Sequence, residues 1–229
     1  MNKNNLKLDA VILARGNSKA IKDKNLVSIN NKPLLYWSIK DCLDCKRIKN
    51  VWISSDSKKI LNYAKKQGAR IIKRPPHLCL DNSSSESGWL HAIKKIENEY
   101  KIDNLILLQA TSPIRGAKDL NRSIIYFFKN KFDSLFSSNK VINYYNWEKK
   151  RNLMKPLFEK RLMRQKIQPQ FNENGSFWIV NVKKFKKFKK RTFGKIGAFE
   201  QEFFKSFELD EKEDILFIST LLKIYKKKL

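Results

Sequence analysis

Short apolar runs that stop at polar loops, each followed by a segment of helical spacing, recur along this chain and constrain its fold more than any other feature. The run Leu8 to Ala14 breaks at Arg15-Gly16-Asn17-Ser18-Lys19, as a buried strand does on leaving a sheet. Pro33 suits a first helical turn, and Leu34, Leu35, Trp37, Ile39 and Leu43 follow at helical spacing. Val51 to Ser55 reads as a strand, Ser57 to Gln67 as a helix stopped by Gly68, and Ala69 to Ile72 as a brief strand. A loop through Pro75, Pro76 and the serines after Asn82, which suit a helix cap, leads to a helix carrying Trp89, Leu90, Ile93 and Ile96. Asn104 to Gln109 is the most apolar strand and ends at Ala110-Thr111-Ser112-Pro113-Ile114-Arg115. A helix from Ala117 to Phe128 and a strand from Asp133 to Ser137 continue the alternation. The pattern predicts an α/β fold, a mainly parallel sheet covered by helices on both faces, with ligands beyond the strand carboxyl ends.

The alternation fades between residues 140 and 172, where Tyr144, Tyr145, Trp147 and Phe158 mix with Arg151, Arg161 and Arg164. The segment is too apolar for a disordered linker and reads as an insertion that packs on a partner subunit. A strand resumes at Asn174 to Val180; another is expected from Phe203 to Leu209, and a helix from Ile215 to Tyr225 closes the chain. The 229 residues suit a single domain, 1–229, carrying that insertion.

Charge and cysteine content narrow the class. Lys and Arg number 49 against 22 Asp and Glu, a formal charge of +27. Either a polyanionic partner or a lysine-rich composition accounts for this. The run Lys183 to Arg191 poses the same choice: a nucleic-acid or anionic-surface patch, or a short helix that buries Phe185 and Phe188 and leaves its lysines in water. The helix is the favoured reading. Cys42, Cys45 and Cys79 do not make a complete disulfide framework, and Cys42 and Cys45 lack the second pair or clustered histidines of a zinc site. His77 and His91 have no obvious partner and read as structural or surface residues. With no signal-peptide apolar region after Met1 and no run near the ~18–20 apolar residues that span a bilayer, a cytoplasmic protein without stable membrane insertion is expected.

Three loops carry candidate chemistry. Arg15, Lys19 and Lys24 follow the first strand, where Gly16, Asn17 and Ser18 let backbone N–H groups approach an anion; the combination suits a triphosphate, though the loop lacks the G-K-[ST] ending of a P-loop and also fits a solvated basic loop. Phe207-Glu208-Leu209-Asp210 reads as strand, so alternation puts Glu208 and Asp210 on one face, where two carboxylates suit Mg²⁺. The competing reading of Asp210, Glu211, Glu213 and Asp214 is the acidic first turn of the last helix. Gln109, Ser112 and Arg115 follow the central strand and by topology overlie the same crevice. Gln165, Asn174 and Gly175 form a further polar group, for which an Asn-Gly hairpin turn is the alternative.

Taken in order, these segments resemble the CMP-sialic acid synthetases, or acylneuraminate cytidylyltransferases, over nearly the whole chain. The resemblance rests on Ala14-Arg15-Gly16-Asn17-Ser18-Lys19 with Lys24-Asn25, on Arg74-Pro75 leading to Asp81 and a serine-rich turn, and on Gln109 to Arg115. Arg164-Gln165 ahead of Asn174-Gly175, and the late acidic pair with Asp214, complete it. It implies a Rossmann-like nucleotidyltransferase three-layer sandwich with a protruding dimerisation insertion, working as a homodimer. It implies transfer of CMP from CTP, with Mg²⁺, to the anomeric hydroxyl of an acidic nine-carbon α-keto acid sugar, sialic, legionaminic or pseudaminic. By position, Arg15, Ser18, Lys19, Lys24 and Asn25 would hold the triphosphate, with Arg15, Lys24 and Asp210 in the catalytic roles. Arg74, Asn82 and Ser83 would surround the cytidine, and Glu208 and Asp210 the metal. Gln109, Ser112, Arg115, Arg164, Gln165, Asn174 and Gly175 would face the sugar or ribose. Departures from the family pattern are Glu208 in place of the usual aspartate, Ala20 and Lys22 in the first loop, and Trp178 where tyrosine is frequent. A Kdo-type or methylerythritol cytidylyltransferase is the rival enzyme, and a nucleic-acid-binding module the non-enzyme alternative.

Overall fold

The computed structural model describes residues 6–141 and 145–225, and of Arg164 the backbone alone. Tyr144 therefore lies outside the described residues. The order of elements is β1 (Leu8–Leu13), a small hairpin β2 (Ser28–Ile29) and β3 (Lys32–Pro33), α1 (Leu34–Leu43), β4 (Ile48–Ser55), α2 (Lys58–Lys66), β5 (Arg70–Lys73), α3 (Ser85–Glu97), β6 (Asn104–Gln109), α4 (Ala117–Lys129) and β7 (Ser134–Val141). A second hairpin, β8 (Trp147–Lys150) and β9 (Leu153–Pro156), precedes β10 (Gln170–Asn181), α5 (Val182–Phe188), β11 (Ile196–Gln201) and α6 (Asp214–Tyr225).

Seven strands form one sheet in the order β11-β7-β10-β6-β1-β4-β5. Neighbours run parallel except β10, which is antiparallel to both β6 and β7. The period-two alternation of the strands sends Ala10, Ile12, Ile106, Leu108 and Ile179 to one face, against α1, α2 and α4. Val11, Leu105, Leu107, Trp178 and Val180 go to the other, against Trp89 and Ile93 of α3 and Phe185 of α5. This is the three-layer α/β sandwich expected from the alternation.

Two expectations need correction. Phe203 to Leu209 is not a strand: residues 203–206 form a 3-10 turn, and the chain then runs without ladder pairing to Asp210. The path of 207–210 is fixed instead by the Leu209 N–H, which donates to the Thr111 carbonyl at 2.9 Å, and by burial of Leu209 among Ile21, Leu34, Ile114 and Ile218. The edge strand lies a few residues earlier, at β11, where Gly197 and Glu200 interrupt the apolar pattern that marks a strand. In α5, Phe185 is buried as expected, but Phe188 is exposed and stacks on Phe193. The basic run around α5 is partly neutralised by carboxylates, Lys184 to Asp133, Lys186 to Glu97 and Arg191 to Glu86.

Between Val141, which pairs with Gln170, and β10, the β8–β9 hairpin forms a sheet of its own whose residues are all exposed. Cys42 and Cys45 pack in the core as free thiols, and Cys79 is also buried. His77 is exposed, and burial pushes the half-buried His91 imidazole down. Among the described residues no helix is long and apolar enough to cross a membrane.

One buried ion pair anchors the amino end of α4. Lys205 Nζ lies 2.8 Å from Asp119 Oδ2, with side chains 3% and 6% exposed, and Asp119 also accepts from the Gly116 N–H. Removing one member strands the other charge in the core. Lys205→Ala is therefore expected to lower the unfolding free energy by about 3 kcal/mol, read from urea denaturation; an unchanged midpoint would show that the pair stabilises nothing.

Candidate active site

The loops after β1 and β6 open onto one cleft of about 340 Å³ at the carboxyl ends of these adjacent strands. Its wall includes Arg15, Ser18, Lys24 and Asn25 from the first loop, Arg74, Asp81 and the serines 83–85 from the segment before α3, Gln109 and Thr111 after β6, and Asp210. Position in the topology explains the convergence, since crossover connections leave the strand carboxyl ends uncovered.

The first loop is held in shape from below. The Gly16 N–H donates to Asp56 Oδ1 at 2.8 Å, and the buried Asn25 side chain donates to the Arg15 carbonyl at 2.8 Å. Asn25 thus braces the loop as well as lining the cleft. Lys24 lies in a 3-10 turn, with its Nζ 2.9 Å from Asp210 Oδ1. Arg15 and Lys19 both pair with Asp81, which holds the Asp81 carboxyl below its ordinary value, Lys19 being the larger cause. Lys19 itself is 82% exposed and lies at the rim rather than in the wall.

Arg74 is buried at the cleft, its Nε without a hydrogen-bond partner among the described residues. A methyl group on Gly88 would stand 2.8 Å from Arg74 Nη1, so the glycine lets the guanidinium pass close to α3. The amino end of α3 is capped by Ser84, whose Oγ accepts from the Ser87 N–H, and Ser83, Ser84 and Ser85 all line the cleft. Unpaired N–H groups at such an end favour an anion. Asn82 is exposed and does not line the cleft, whereas Ser84, Ser85, Thr111 and Asp81 do and were not singled out as site residues; their membership of the same two loops was the available signal.

Ser112, Arg115, Asn174, Gly175 and Glu208 lie behind this wall. Arg115 is wholly buried, its guanidinium donating to Ser176 O and Oγ, Ser38 Oγ and Gln109 O. Asn174 accepts from Ser137 Oγ and donates to Gln201. Asn174-Gly175 is not a hairpin turn but part of an irregularity in β10, where register with β7 shifts between Glu173 and Trp178 and Gly175 adopts φ +68°. A Cβ there would fall 1.8 Å from Glu208 Oε1, so the glycine makes room for that carboxyl.

Glu208 and Asp210 do not share a strand face. Glu208 is half-buried beside Gly175, whereas Asp210 is exposed and paired with Lys24. Burial, then repulsion by Asp210, pushes the Glu208 carboxyl up to about 7 against the pull of Ser112, Arg115 and Lys24. Asp214 serves the turn itself, its Oδ2 accepting from the Asp210 and Glu211 N–H groups at 2.8 Å. Gln165 is exposed on the insertion, away from the cleft of its own chain, and the Arg164 side chain lies outside the described residues.

A family model described as cytidylyltransferase matches residues 10–229, and the chain belongs to that family. N-acylneuraminate cytidylyltransferase A of Danio rerio is 35% identical over 131 residues, 57% of this chain and 30% of that protein. Post-translational flagellin modification protein B of Campylobacter coli is 28% identical over 220 residues, 93% of each chain. The chain spans less than half the length of the two fish cytidylyltransferases it matches. In fold it is similar to a CMP:2-keto-3-deoxy-manno-octonic acid synthetase in complex with CTP, with TM-score 0.72 and 13% identity, covering 97% of this chain and 100% of that one. The fold is therefore that of the Rossmann-like nucleotidyltransferases.

The raised Glu208 carboxyl generates a pH dependence. Folding tightens its hold on a proton, from an ordinary 4.5 to about 7. Its contribution to stability is thus fully present below pH 4.5 and lost as pH rises through 7. Without divalent cation, the stability of Glu208→Gln relative to the parent is expected to rise by about 1–3 kcal/mol between pH 5 and 8. Parallel stability curves by chemical denaturation would show that Glu208 ionises normally.

Proposed function

We propose that this chain transfers CMP from CTP to the anomeric hydroxyl of a nine-carbon α-keto acid sugar, releasing pyrophosphate. The observation that carries the reading is the cleft itself: Arg15, Lys24, the buried Arg74 and the amino end of α3 line one concave wall together with Asp210. Such a wall suits a polyanion, and the named relatives supply the nucleotide and the acceptor class. The acceptor oxygen attacks the α-phosphorus, the bond to the β-phosphate oxygen breaks, and pyrophosphate leaves with the electron pair. Lys24, beside Asp210, is placed to offset the negative charge that develops on this departure. Asp210 also supplies a carboxylate near the reacting groups, as ligand or as proton acceptor.

The carboxylates fit Mg²⁺. Asp210 and Glu208 are near enough to repel, and among the described residues no cluster of three His, Cys, Asp or Glu ligands exists. Mg²⁺ characteristically takes one or two protein carboxylates and completes its shell with phosphates and water. Held there by Asp210, with Glu208 behind it, it would supply charge neutralisation at the phosphates. Gln109 lines the cleft and would meet the sugar or ribose, whereas Ser112, Arg115, Asn174 and Gly175 would support that wall from behind. Gln165 and Arg164 would act across a homodimer, the exposed insertion carrying them towards a partner's cleft. The buried free thiols suit a reducing cytoplasm.

Pyrophosphate release is expected with CTP, Mg²⁺ and one of N-acetylneuraminate, legionaminate or pseudaminate, and not with ATP, GTP or UTP. Lys24→Ala is expected to cut kcat about 10²–10³-fold while melting remains close to that of the parent. Release with Kdo alone would reassign the acceptor, and full turnover in Lys24→Ala would remove the lysine from the chemistry.

A further inference from the structure

The cleft contains a carboxylate that an anion-binding site does not obviously need. Asp81 lies on its wall, and its two oxygens are divided between two cations of the facing loop: Oδ1 is 2.9 Å from Arg15 Nη1, and Oδ2 is 2.9 Å from Lys19 Nζ. The pairs join segments sixty-six positions apart, residues 14–19 after β1 and 75–83 before α3. The second segment is shaped independently of Asp81, by a Ser83 N–H bond to the Leu80 carbonyl and by Ser83 Oγ donating to the His77 carbonyl. Among the described residues, the carboxylate's hydrogen bonds and ion pairs are those with Arg15 and Lys19. It therefore has no separate capping duty.

A carboxylate presents oxygens to Arg and Lys much as a phosphate does, so the two compete for the same donors. Arg74 is buried and Lys24 is paired with Asp210, so Arg15 and Lys19 are the cations that the nucleotide must take from Asp81. We propose that Asp81 is an internal counter-ion that competes with the nucleotide's phosphates for Arg15 and Lys19, setting the affinity of the cleft and reclaiming both cations as pyrophosphate leaves. The inference rests on reading the cleft as a nucleoside triphosphate site. Without ligand, Asp81 holds Arg15 and Lys19 together and offsets one of their two positive charges. Against a bound polyanion it adds one like charge at the wall. Both pairs are exposed and exchange readily, so Asp81 tunes binding rather than blocking it.

The test is calorimetric titration of inorganic tripolyphosphate, without metal, into the parent protein and Asp81→Asn, with Arg15→Ala as comparator. Asp81→Asn is expected to bind tripolyphosphate about three- to tenfold more tightly, from two exposed pairs lost and one repulsive charge removed. Arg15→Ala is expected to bind it more weakly than either. A merely structural Asp81 would loosen the loop on substitution and weaken binding, so the direction of the change separates the roles. Equal or weaker binding by Asp81→Asn overturns the proposal, as does failure of tripolyphosphate to bind either protein. Tighter binding by Asp81→Asn without CTP turnover in the parent would leave the counter-ion in place and remove the nucleotidyl-transfer reading. Turnover of CTP with no gain in tripolyphosphate affinity would remove the counter-ion alone.

Discussion

The Arg115 guanidinium, wholly buried beneath the floor of the cleft, is the interaction on which the surrounding geometry depends. Burial favours its neutral form, and that cost is offset in part by donors that find acceptors on three separate elements, Gln109 at the end of β6, Ser176 in β10 and Ser38 in α1, and by the acidic groups Asp41 and Glu208. The same bonds fix the loop that carries Thr111, whose carbonyl in turn holds Leu209. Through Leu209 the polar chain of 207–210 is drawn beneath the cleft, leaving Asp210 on one side facing Lys24 and Glu208 on the other facing Gly175. A charged residue that resembles a ligand-binding group in sequence thus works as a structural brace for the groups that bind.

Charge in the cleft is arranged as exchangeable pairs. Arg15, Lys19 and Lys24 of the first loop each already have a carboxylate partner, Arg15 and Lys19 with Asp81 and Lys24 with Asp210. Leaving such cations without counter-ions would cost loop order and invite any anion. Pairing them with exposed aspartates keeps them positioned at small net free energy, so that a ligand richer in oxygen donors can replace the aspartates. Glu208 is the counterexample, a half-buried carboxyl without an ion-pair partner among the described residues, and burial with repulsion from Asp210 raises its proton affinity.

The fold was legible wherever burial and period coincided. β1, β4 and β6 each carry a short apolar run, Ala10 to Leu13, Val51 to Ile53 and Leu105 to Leu108, and the helices between them carry apolar stripes, so the alternation fixed a parallel sheet and placed the cleft at its carboxyl edge. What escaped had local causes. β10 pairs antiparallel with both β6 and β7, a direction that composition does not encode. Gly175 looked like turn chemistry because Asn-Gly is permissive of positive φ, yet the same permissiveness serves an irregular strand that admits Glu208. Residues 207–210 alternate as a strand does, but no sheet edge receives them, and a hydrogen bond to Thr111 decides their path. Motifs identified which loops meet; only burial separated the residues lining the cleft, such as Arg15 and Gln109, from those holding it up, such as Arg115 and Asn174.

The central claim is that one cleft, built by the loops after β1 and β6 and by the approach to α3, receives CTP. Amide hydrogen exchange of the whole protein with and without CTP and Mg²⁺ tests this most directly. The account expects protection to concentrate in residues 14–25, 74–85, 109–112 and 207–211, with the outer surface of α4 and β11 unchanged. Protection centred on α4 and β11, or no CTP-dependent protection at saturating nucleotide, would contradict it.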